Sequence, residues 1–321
     1  MSVKFGIIGL GGIASRFAKV LNTVEGAELT AVAARDKKRA EDFAEKFSAK
    51  KSYSNYLDLI EDKDIDIIYI ALPHNFHYEI AKLCAENKKS ILCEKPFFTN
   101  RNEAEKLVAY AKCENILMME AMWTRCLPTF QKSKEWVNNG LIGKVKLIDA
   151  SFCFNVPFNP ESRLYNPNLA GGSLYDAGVY PIEFITGILN EKPVMVKAVA
   201  QKGETGVDEY VAMTMAFESG VLATVTCGIS IRTNADAHIY GTDGNIVVYD
   251  FLGCKKCERY DVNNNLVECF EVDFEDGFVY EINHIMELYH SNKIDSNLIP
   301  LRDTINCAEI FDEIKRQCEL I

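Results

Sequence analysis

The chain contains no apolar run long enough to cross a membrane as a helix. It also lacks the basic excess that binding to a phosphate backbone requires, because 35 Lys and Arg face 46 Asp and Glu, for a net charge of -11. We also expect no signal peptide, because the strand-like segment VKFGIIGLGG lies almost at the first residue. We therefore expect a cytoplasmic protein with neither a nucleic-acid nor a membrane partner.

The chain has 11 cysteines, but they are not spaced as the cysteines of a disulfide framework are. Most of them lie within apolar segments, as reduced thiols of a cytoplasmic protein do. Cys254 and Cys257 form the one close pair, but no second such pair and no nearby histidine accompany them, so we interpret the segment as a turn. No cluster of His, Cys and Asp has the spacing of metal ligands, and we predict no metal.

Two patterns divide the chain. In residues 1–122, short apolar strands alternate with amphipathic helices, which predicts a doubly wound parallel sheet, a Rossmann domain. In residues 123–321, a helix leads into a long run of strands before two closing helices, which predicts an α+β domain with a large, mostly antiparallel open sheet. Because these few helices cannot cover that sheet, we expect an exposed apolar face and a homodimer or higher homo-oligomer.

A glycine-rich turn follows the first predicted strand and opens a helix, in the segment GLGGIA. Gly9, Gly11 and Ala14 match the GxGxxA pattern, in which the glycines permit a tight turn and close approach of a pyrophosphate, while Ala14 permits close helix packing. Gly12 and Ile13 complete the predicted cofactor-binding segment. A turn that binds nothing is the alternative, but the strand–turn–helix context favours a dinucleotide.

The end of the second strand bears on which dinucleotide binds. An NAD site places an acidic residue there, whereas this chain has Ala34 followed by Arg35. The guanidinium groups of Arg35 and Arg39 suit the 2′-phosphate of NADP. Asp36 could instead hold the ribose of NAD, but it also suits the N-cap of the next helix. We favour the cap, and with it NADP, with NAD still possible.

A lysine stands at the end of a predicted buried strand, in the segment SILCEKPF. Glu94 and Lys95 follow directly on apolar residues, and Pro96 restricts the conformation of Lys95. Ligands of doubly wound folds bind beyond the carboxyl ends of the strands, so Lys95 is a candidate to contact cofactor and substrate. A surface lysine at a strand end is the alternative. Glu94 is included among the predicted cofactor-binding residues.

A second segment that could contribute ligand-binding and catalytic residues is GGSLYDAGVYPIEF. Gly171 and Gly172 suit a loop pressed against a ligand, and Asp176 can cap the helix that follows. Asp176 and Tyr180 are four residues apart, so they can point to one side of that helix, and Pro181 is tolerated only in its first turn. Tyr180 is a candidate acid/base, with a hydrogen-bonded core tyrosine as the equal alternative.

Five further residues are candidates for cofactor binding, but the sequence signal for each of them is weaker. Pro73, His74 and His77 follow the fourth strand, at the same predicted edge of the sheet, although His77 also suits the start of a helix. Trp123 and Arg125 stand at the predicted domain junction, where Trp123 could stack on a sugar or ring face and Arg125 could donate to hydroxyls. Packing is an equal alternative for this pair. We list all five as cofactor-binding candidates.

In combination, the motifs resemble those of the glucose–fructose oxidoreductase and inositol dehydrogenase family over essentially the whole chain. They are GIIGLGGIA, LPHNFH, CEKPF and GGSLYDAGVYPI. The segments AARD, MEAMWTR and GETGVDEY are most similar to its dihydrodiol dehydrogenase and NADP-dependent xylose dehydrogenase branch. The resemblance implies Lys95, Asp176 and Tyr180 as catalytic residues. Many members carry histidine where this chain has Tyr180; because a phenol is a poor base, the charge of Lys95 would have to stabilise its phenolate.

We therefore predict an NADP-dependent oxidoreductase that transfers a hydride between the nicotinamide and a hydroxyl-bearing carbon of a sugar, polyol or cyclic diol. Tyr180 would be the general acid/base, Lys95 would polarise the substrate oxygen, and Asp176 would orient them. A non-catalytic sensor on the same fold is the first alternative. A redox-neutral lyase or glycosidase that uses bound NAD(P) is the second.

Overall fold

The computed structural model describes residues 2–320, which form two compact units. The first unit consists of residues 2–121 with Phe278–Ile305, and the second of Met122–Gly277 with residues 306–320. The sequence predicts a domain boundary after residue 122, and that boundary stays a prediction. The sequence division assigned Phe278–Ile305 to the second half, whereas their contacts group them with the first unit.

The first unit is built on a six-stranded parallel sheet in the order β3-β2-β1-β4-β5-β6. All of its strands except the edge strand β3 are largely buried, as expected for a sheet covered by helices on both faces. The strands are β1 Val3–Ile8, β2 Ala27–Ala33, β3 Lys51–Tyr53, β4 Ile67–Ile70, β5 Ser90–Glu94 and β6 Met118–Ala121. The helices between them are α1 Gly12–Leu21, α2 Lys37–Phe47, α3 Tyr56–Ile60, α4 His77–Glu86 and α5 Arg101–Cys113.

The second unit contains an eight-stranded sheet in the order β14-β13-β12-β11-β7-β10-β9-β8, with helices α6 Pro128–Asn138 and α7 Val179–Leu189. Only β7 and β10 pair in parallel; all other neighbours in this sheet are antiparallel. The strands are β7 Val145–Cys153, β8 Met195–Lys202, β9 Asp208–Ala216, β10 Leu222–Gly228, β11 Ala237–Gly241, β12 Gly244–Tyr249, β13 Lys256–Asp261 and β14 Leu266–Glu271. The predicted fold class, a Rossmann sheet plus a mostly antiparallel open sheet, is confirmed.

One face of the second sheet is exposed in the single chain. Along β9, Val211, Met213 and Met215 are buried while the alternating residues are exposed, because successive side chains of a strand point to opposite faces. The exposed face is apolar in part: 72% of Val199 on β8 and 48% of Leu222 on β10 are accessible. The expected exposed apolar face is therefore present, whereas the oligomer stays a prediction.

Two helices close the chain, α8 Phe278–His290 and α9 Leu301–Cys318. α8 belongs to the first unit because the ring of Phe278 packs against Phe17 of α1 and the Tyr289 hydroxyl donates to Asp66 over 2.9 Å. These contacts join residues more than 200 positions apart, and no local pattern reports them. α9 starts within the first unit and continues into the second.

Several features bear on the class of site. All 11 cysteines are free thiols, and within residues 2–320 no group of three or more His, Cys, Asp and Glu is arranged to hold a metal ion. The interpretation of the Cys254–Cys257 segment as a turn is wrong: the turn lies just before it, where the Gly253 amide donates to the Asp250 carbonyl, and Cys257 lies in β13. No helix in the described part of the chain has both the length and the hydrophobicity of a membrane span.

Candidate active site

The glycine turn lies between β1 and α1. Gly9 has φ of +88°, and a Cβ there would come within 2.5 Å of the Ala71 carbonyl oxygen, so this position requires glycine. Gly11 is the N-cap of α1, and Ala14 is fully buried against the sheet. A Cβ on Gly11 or Gly12 would meet no protein atom within 4 Å, so packing does not explain these two glycines.

The start of α1 therefore fits a pyrophosphate. Helix N-termini present unpaired amide donors and the positive end of the helix dipole, and the absence of side chains at Gly11 and Gly12 leaves room for the ligand to approach them. Ile13 is 37% exposed and borders the same end of the helix. These features fit a dinucleotide as the group held by this turn.

The end of β2 places Arg35, Asp36 and Arg39 together. Asp36 is the N-cap of α2, and its Oδ1 accepts a hydrogen bond from the Arg39 amide over 2.7 Å, so the predicted cap is confirmed. The Arg39 guanidinium donates to the Leu10 carbonyl in the glycine turn over 2.7 Å, and Arg35 is exposed. An open cavity of about 550 Å³ lies here, and it is lined by Ser15, Asp36, Lys38, Arg39, Asp42, Phe43 and Lys46.

Lys95 follows β5 and is half-buried, and the peptide bond between Lys95 and Pro96 is cis. The preceding Glu94 is buried, and the Tyr69 hydroxyl donates a hydrogen bond to its carboxylate. Burial raises the pKa of Glu94, against the opposing effect of that hydrogen bond. Phe17 stacks on Tyr69, with ring centroids 3.7 Å apart. This packing favours a supporting role for Glu94 beneath Lys95.

The turn after β4 contains Pro73 and a short 3₁₀ segment, His74–Phe76, and His77 begins α4. His77 is fully buried, with Nδ1 2.9 Å from the Pro96 carbonyl and Nε2 2.8 Å from the Leu72 carbonyl. Its ring thus connects the turn after β4 to the turn after β5. This geometry favours the helix-start interpretation of His77 over a catalytic one, while His74 is also buried.

Within the first unit, the structure brings together the candidates that follow β1, β4 and β5. The three strands are neighbours in the parallel sheet, so their carboxyl ends meet at one edge. The close approach of Gly9 to Ala71 and the contacts of His77 join these turns directly. Lys95 is thereby held at the edge where a dinucleotide bound by the glycine turn would lie.

In the second unit, the segment that holds Asp176 and Tyr180 is helical from Leu174. Residues Leu174–Gly178 form a π-helical turn that runs into α7 without a break. Pro181 is therefore the eighth residue of the helical segment, and the expectation that it lies in the first turn is wrong because the helix begins earlier than predicted. The Arg163 guanidinium lies 2.7 Å from Asp176 Oδ2, and the Tyr180 ring meets the ring of Phe152 edge to face, with centroids 5.6 Å apart. π-helical turns occur often at functional sites.

The expectation that Asp176 caps this helix is wrong. Ser173 is the N-cap, and Asp176 is the third residue of the helical segment. The capping carboxylate comes from Asp208 at the start of β9, whose Oδ2 accepts from the Leu174 amide over 2.7 Å. Neither Asp208 nor Arg163 is among the site residues predicted from the sequence, although Asp208 lies in the segment GETGVDEY. An aspartate that begins a strand was the available signal, since aspartate is depleted in strands.

Trp123 and Arg125 lie in a short 3₁₀ segment, Trp123–Cys126, of the second unit. Arg125 is fully buried and its Nη1 lies 2.6 Å from Glu183 Oε2 on α7. The Trp123 ring packs on Gly277, where a Cβ would come within 2.6 Å of Cζ3. Both geometries favour the packing alternative for these residues over contact with a ligand.

A glycine turn between the first strand and first helix of a doubly wound parallel sheet is characteristic of dinucleotide-binding proteins. Residues 3–121 match the family model for the oxidoreductase family with an NAD-binding Rossmann fold, and residues 130–247 match the GFO/IDH/MocA C-terminal domain. The chain belongs to this oxidoreductase family, as its motifs predicted.

The chain is also similar to curated proteins over nearly its whole length. It is 33% identical to trans-1,2-dihydrobenzene-1,2-diol dehydrogenase of Mus musculus over 325 residues, covering 98% of this chain and 97% of the mouse protein. The Xenopus laevis protein of the same name is 32% identical, with 99% and 98% covered.

Solved structures share the fold. An aldose-aldose oxidoreductase from Caulobacter crescentus has a TM-score of 0.90 at 20% identity, with 99% of this chain and 98% of that chain covered. A 3-ketoreductase from Actinomadura kijaniata, in complex with NADP, has a TM-score of 0.84 at 24% identity with the same coverage.

Proposed function

We propose that the protein is an NADP-dependent oxidoreductase that acts on a hydroxyl-bearing carbon of a cyclic diol, polyol or sugar. The observation that carries the proposal is the edge of the first sheet, where an open glycine turn and Lys95 follow neighbouring parallel strands. The names of the curated relatives support a vicinal diol as the substrate class.

The turn at Gly9–Ala14 would hold the pyrophosphate through the first amides of α1. NADP supplies the hydride acceptor when it is bound. The exposed Arg35 and the neighbouring Arg39 support NADP over NAD, because Asp36 is engaged as a helix cap. A guanidinium is well suited to the 2′-phosphate that distinguishes the two dinucleotides.

The family resemblance supports the roles of three side chains. Tyr180 removes the proton of the substrate hydroxyl during oxidation and returns it during reduction. The same resemblance assigns to Lys95 the polarisation of the substrate oxygen. Asp176 orients this pair, and its ion pair with Arg163 fixes its carboxylate.

The roles of Tyr180 and Lys95 are tested by Tyr180→Phe and Lys95→Met, with Tyr110→Phe and Lys106→Met as matched controls on the exposed face of α5. Tyr180→Phe should keep its affinity for NADPH and lose about 10²- to 10⁴-fold in turnover, the usual contribution of acid/base catalysis. Lys95→Met should lose at least as much, and the double variant little more, because residues that act as a unit are not additive.

Steady-state rates with NADP⁺ and a panel of diols, or NADPH and a panel of carbonyl compounds, measure these losses. Near-normal turnover by Tyr180→Phe would contradict its assignment as the acid/base. Binding of NADPH without turnover of any substrate would favour a sensor, and product without net change in NADPH would favour a redox-neutral enzyme.

We also propose that the protein is a homodimer joined through the exposed sheet face of the second unit. The supporting observation is the row of accessible apolar side chains on adjacent strands, including Val199 opposite Ala212 and Leu222 opposite Ala216. Exposed apolar faces of this kind are typical of association surfaces. Sedimentation at micromolar concentration tests the proposal, and a monomer would contradict it.

A cytoplasmic location is proposed on the basis of the 11 free thiols. Cell fractionation followed by thiol labelling of the native protein tests it. Recovery in an oxidising compartment, with cysteines blocked to alkylation until reduced, would contradict it.

A further inference from the structure

We propose that Asp208 is a positioning residue for catalysis, because it fixes the start of the helical segment that carries Asp176 and Tyr180. This inference rests on the proposed acid/base role of Tyr180. It concerns a residue outside that segment, at the start of β9, which lies in GETGVDEY but received no predicted role from the sequence.

A single carboxylate oxygen of Asp208 holds the helix start. Its Oδ2 accepts from the Ser173 hydroxyl and from the Leu174 amide, each over 2.7 Å, and the side chain is buried. The Leu174 amide is one of the donors that a helix N-terminus leaves without an intrahelical partner. Asp208 thus anchors the first turn of the π-helical segment to the sheet.

Gly172 shows how closely the chain approaches this carboxylate. Its φ is +116°, and a Cβ there would come within 2.3 Å of Asp208 Oδ1. Farther along the segment, a Cβ on Gly178 would come within 3.0 Å of Cys227 Sγ on β10. The π-helical turn is therefore held at both ends, by Asp208 on β9 and by the close packing of Gly178 on β10.

The anchored segment leads directly to the proposed acid/base. Tyr180 lies two residues beyond Gly178, and its ring already meets Phe152 of β7 edge to face. A displacement of about 1 Å at a reacting group lowers turnover by about 10²-fold. Loss of the anchor would shift Tyr180 relative to the substrate without removing any group that touches the dinucleotide.

The acceptor geometry provides a conservative variant. Because both hydrogen bonds end on one oxygen, the amide oxygen of Asp208→Asn can accept both of them, whereas Asp208→Ala can accept neither. Ser173→Ala removes one donor and leaves the Leu174 amide bonded. The three variants therefore retain two, one and none of these hydrogen bonds, in the order Asp208→Asn, Ser173→Ala and Asp208→Ala.

The test measures kcat, KM and the Kd of NADPH for these variants, with concentrations of active protein taken from NADPH-binding stoichiometry. We expect Asp208→Ala to lower kcat by about 10- to 100-fold with the Kd of NADPH within about twofold of the original. Ser173→Ala should lose less, and Asp208→Asn should stay within about threefold of the original kcat. Normal kcat per binding-competent molecule in Asp208→Ala and Ser173→Ala would overturn the proposal.

A double variant separates positioning from general structural support. If Asp208 acts through Tyr180, then Asp208→Ala should cost nothing further when Tyr180→Phe is already present. Full additivity would overturn the proposal while leaving the function of Tyr180 intact. Near-normal turnover by Tyr180→Phe alone would instead contradict the proposed function. If Asp208→Ala does not fold, Ser173→Ala combined with Tyr180→Phe completes the same comparison.

Discussion

Replacing Asp208 by asparagine should change the pH dependence of stability, because burial raises the pKa of its carboxyl from 3.8 to about 6. The hydrogen bonds from Ser173 and Leu174 oppose that increase but do not cancel it. Above about pH 6 the folded protein therefore holds an ionised carboxylate that is more stable in the unfolded chain. As the pH falls from 6 towards 3.8, the folded protein binds the proton first and gains stability.

The two pKa values differ by about two units, which corresponds to about 3 kcal/mol over the whole titration. Between pH 8 and pH 5, about 1.4 kcal/mol of this free energy should be recovered by the original protein and none by Asp208→Asn. The free energy of unfolding of the variant, relative to the original, should thus be highest at pH 8. At pH 5, this difference in the free energy of unfolding should be about 1.4 kcal/mol smaller than at pH 8.

Urea unfolding followed by tryptophan fluorescence measures this difference. The two tryptophans, Trp123 and Trp136, both lie in the second unit with Asp208, so the signal reports on the relevant unit. Glu218→Gln removes an exposed carboxylate from the turn between β9 and β10 and serves as the control. A constant difference between Asp208→Asn and the original protein from pH 8 to pH 5 would refute the assigned pKa increase.

Three further predictions follow from single positions. Arg35→Ala should weaken NADP binding by about 10-fold or more, the value of a lost charge-assisted hydrogen bond, and leave NAD binding within about twofold; calorimetry with both dinucleotides checks this. Val199→Asp should convert the proposed dimer to a monomer in sedimentation, since a carboxylate would be buried in the interface. Gly172→Ala should destabilise the fold beyond the backbone strain of about 1–3 kcal/mol, because its Cβ would clash with Asp208. Gly220→Ala, with φ of +84° and no atom within 4 Å, isolates the strain, and equal losses would contradict the clash.

Local patterns determined much of this protein. The alternation of apolar strands and amphipathic helices predicted the parallel sheet, and the glycine turn and the Asp36 cap involve residues only a few positions apart. The period-2 pattern of β9 likewise predicted one buried and one exposed face. Each of these features depends on backbone geometry within one turn or one strand, which neighbouring residues set.

Long-range packing decided the rest. Asp208 caps a helix that begins 34 positions earlier, and Arg125 pairs with Glu183 across 58 positions. α8 joins the first unit although it follows the whole sheet of the second. A buried carboxylate or guanidinium must find a partner wherever the fold provides one, and that partner is chosen by the assembled core. For this reason the helix cap assigned to Asp176 from its neighbours in sequence belongs to Asp208, a residue that only the tertiary structure brings to the helix.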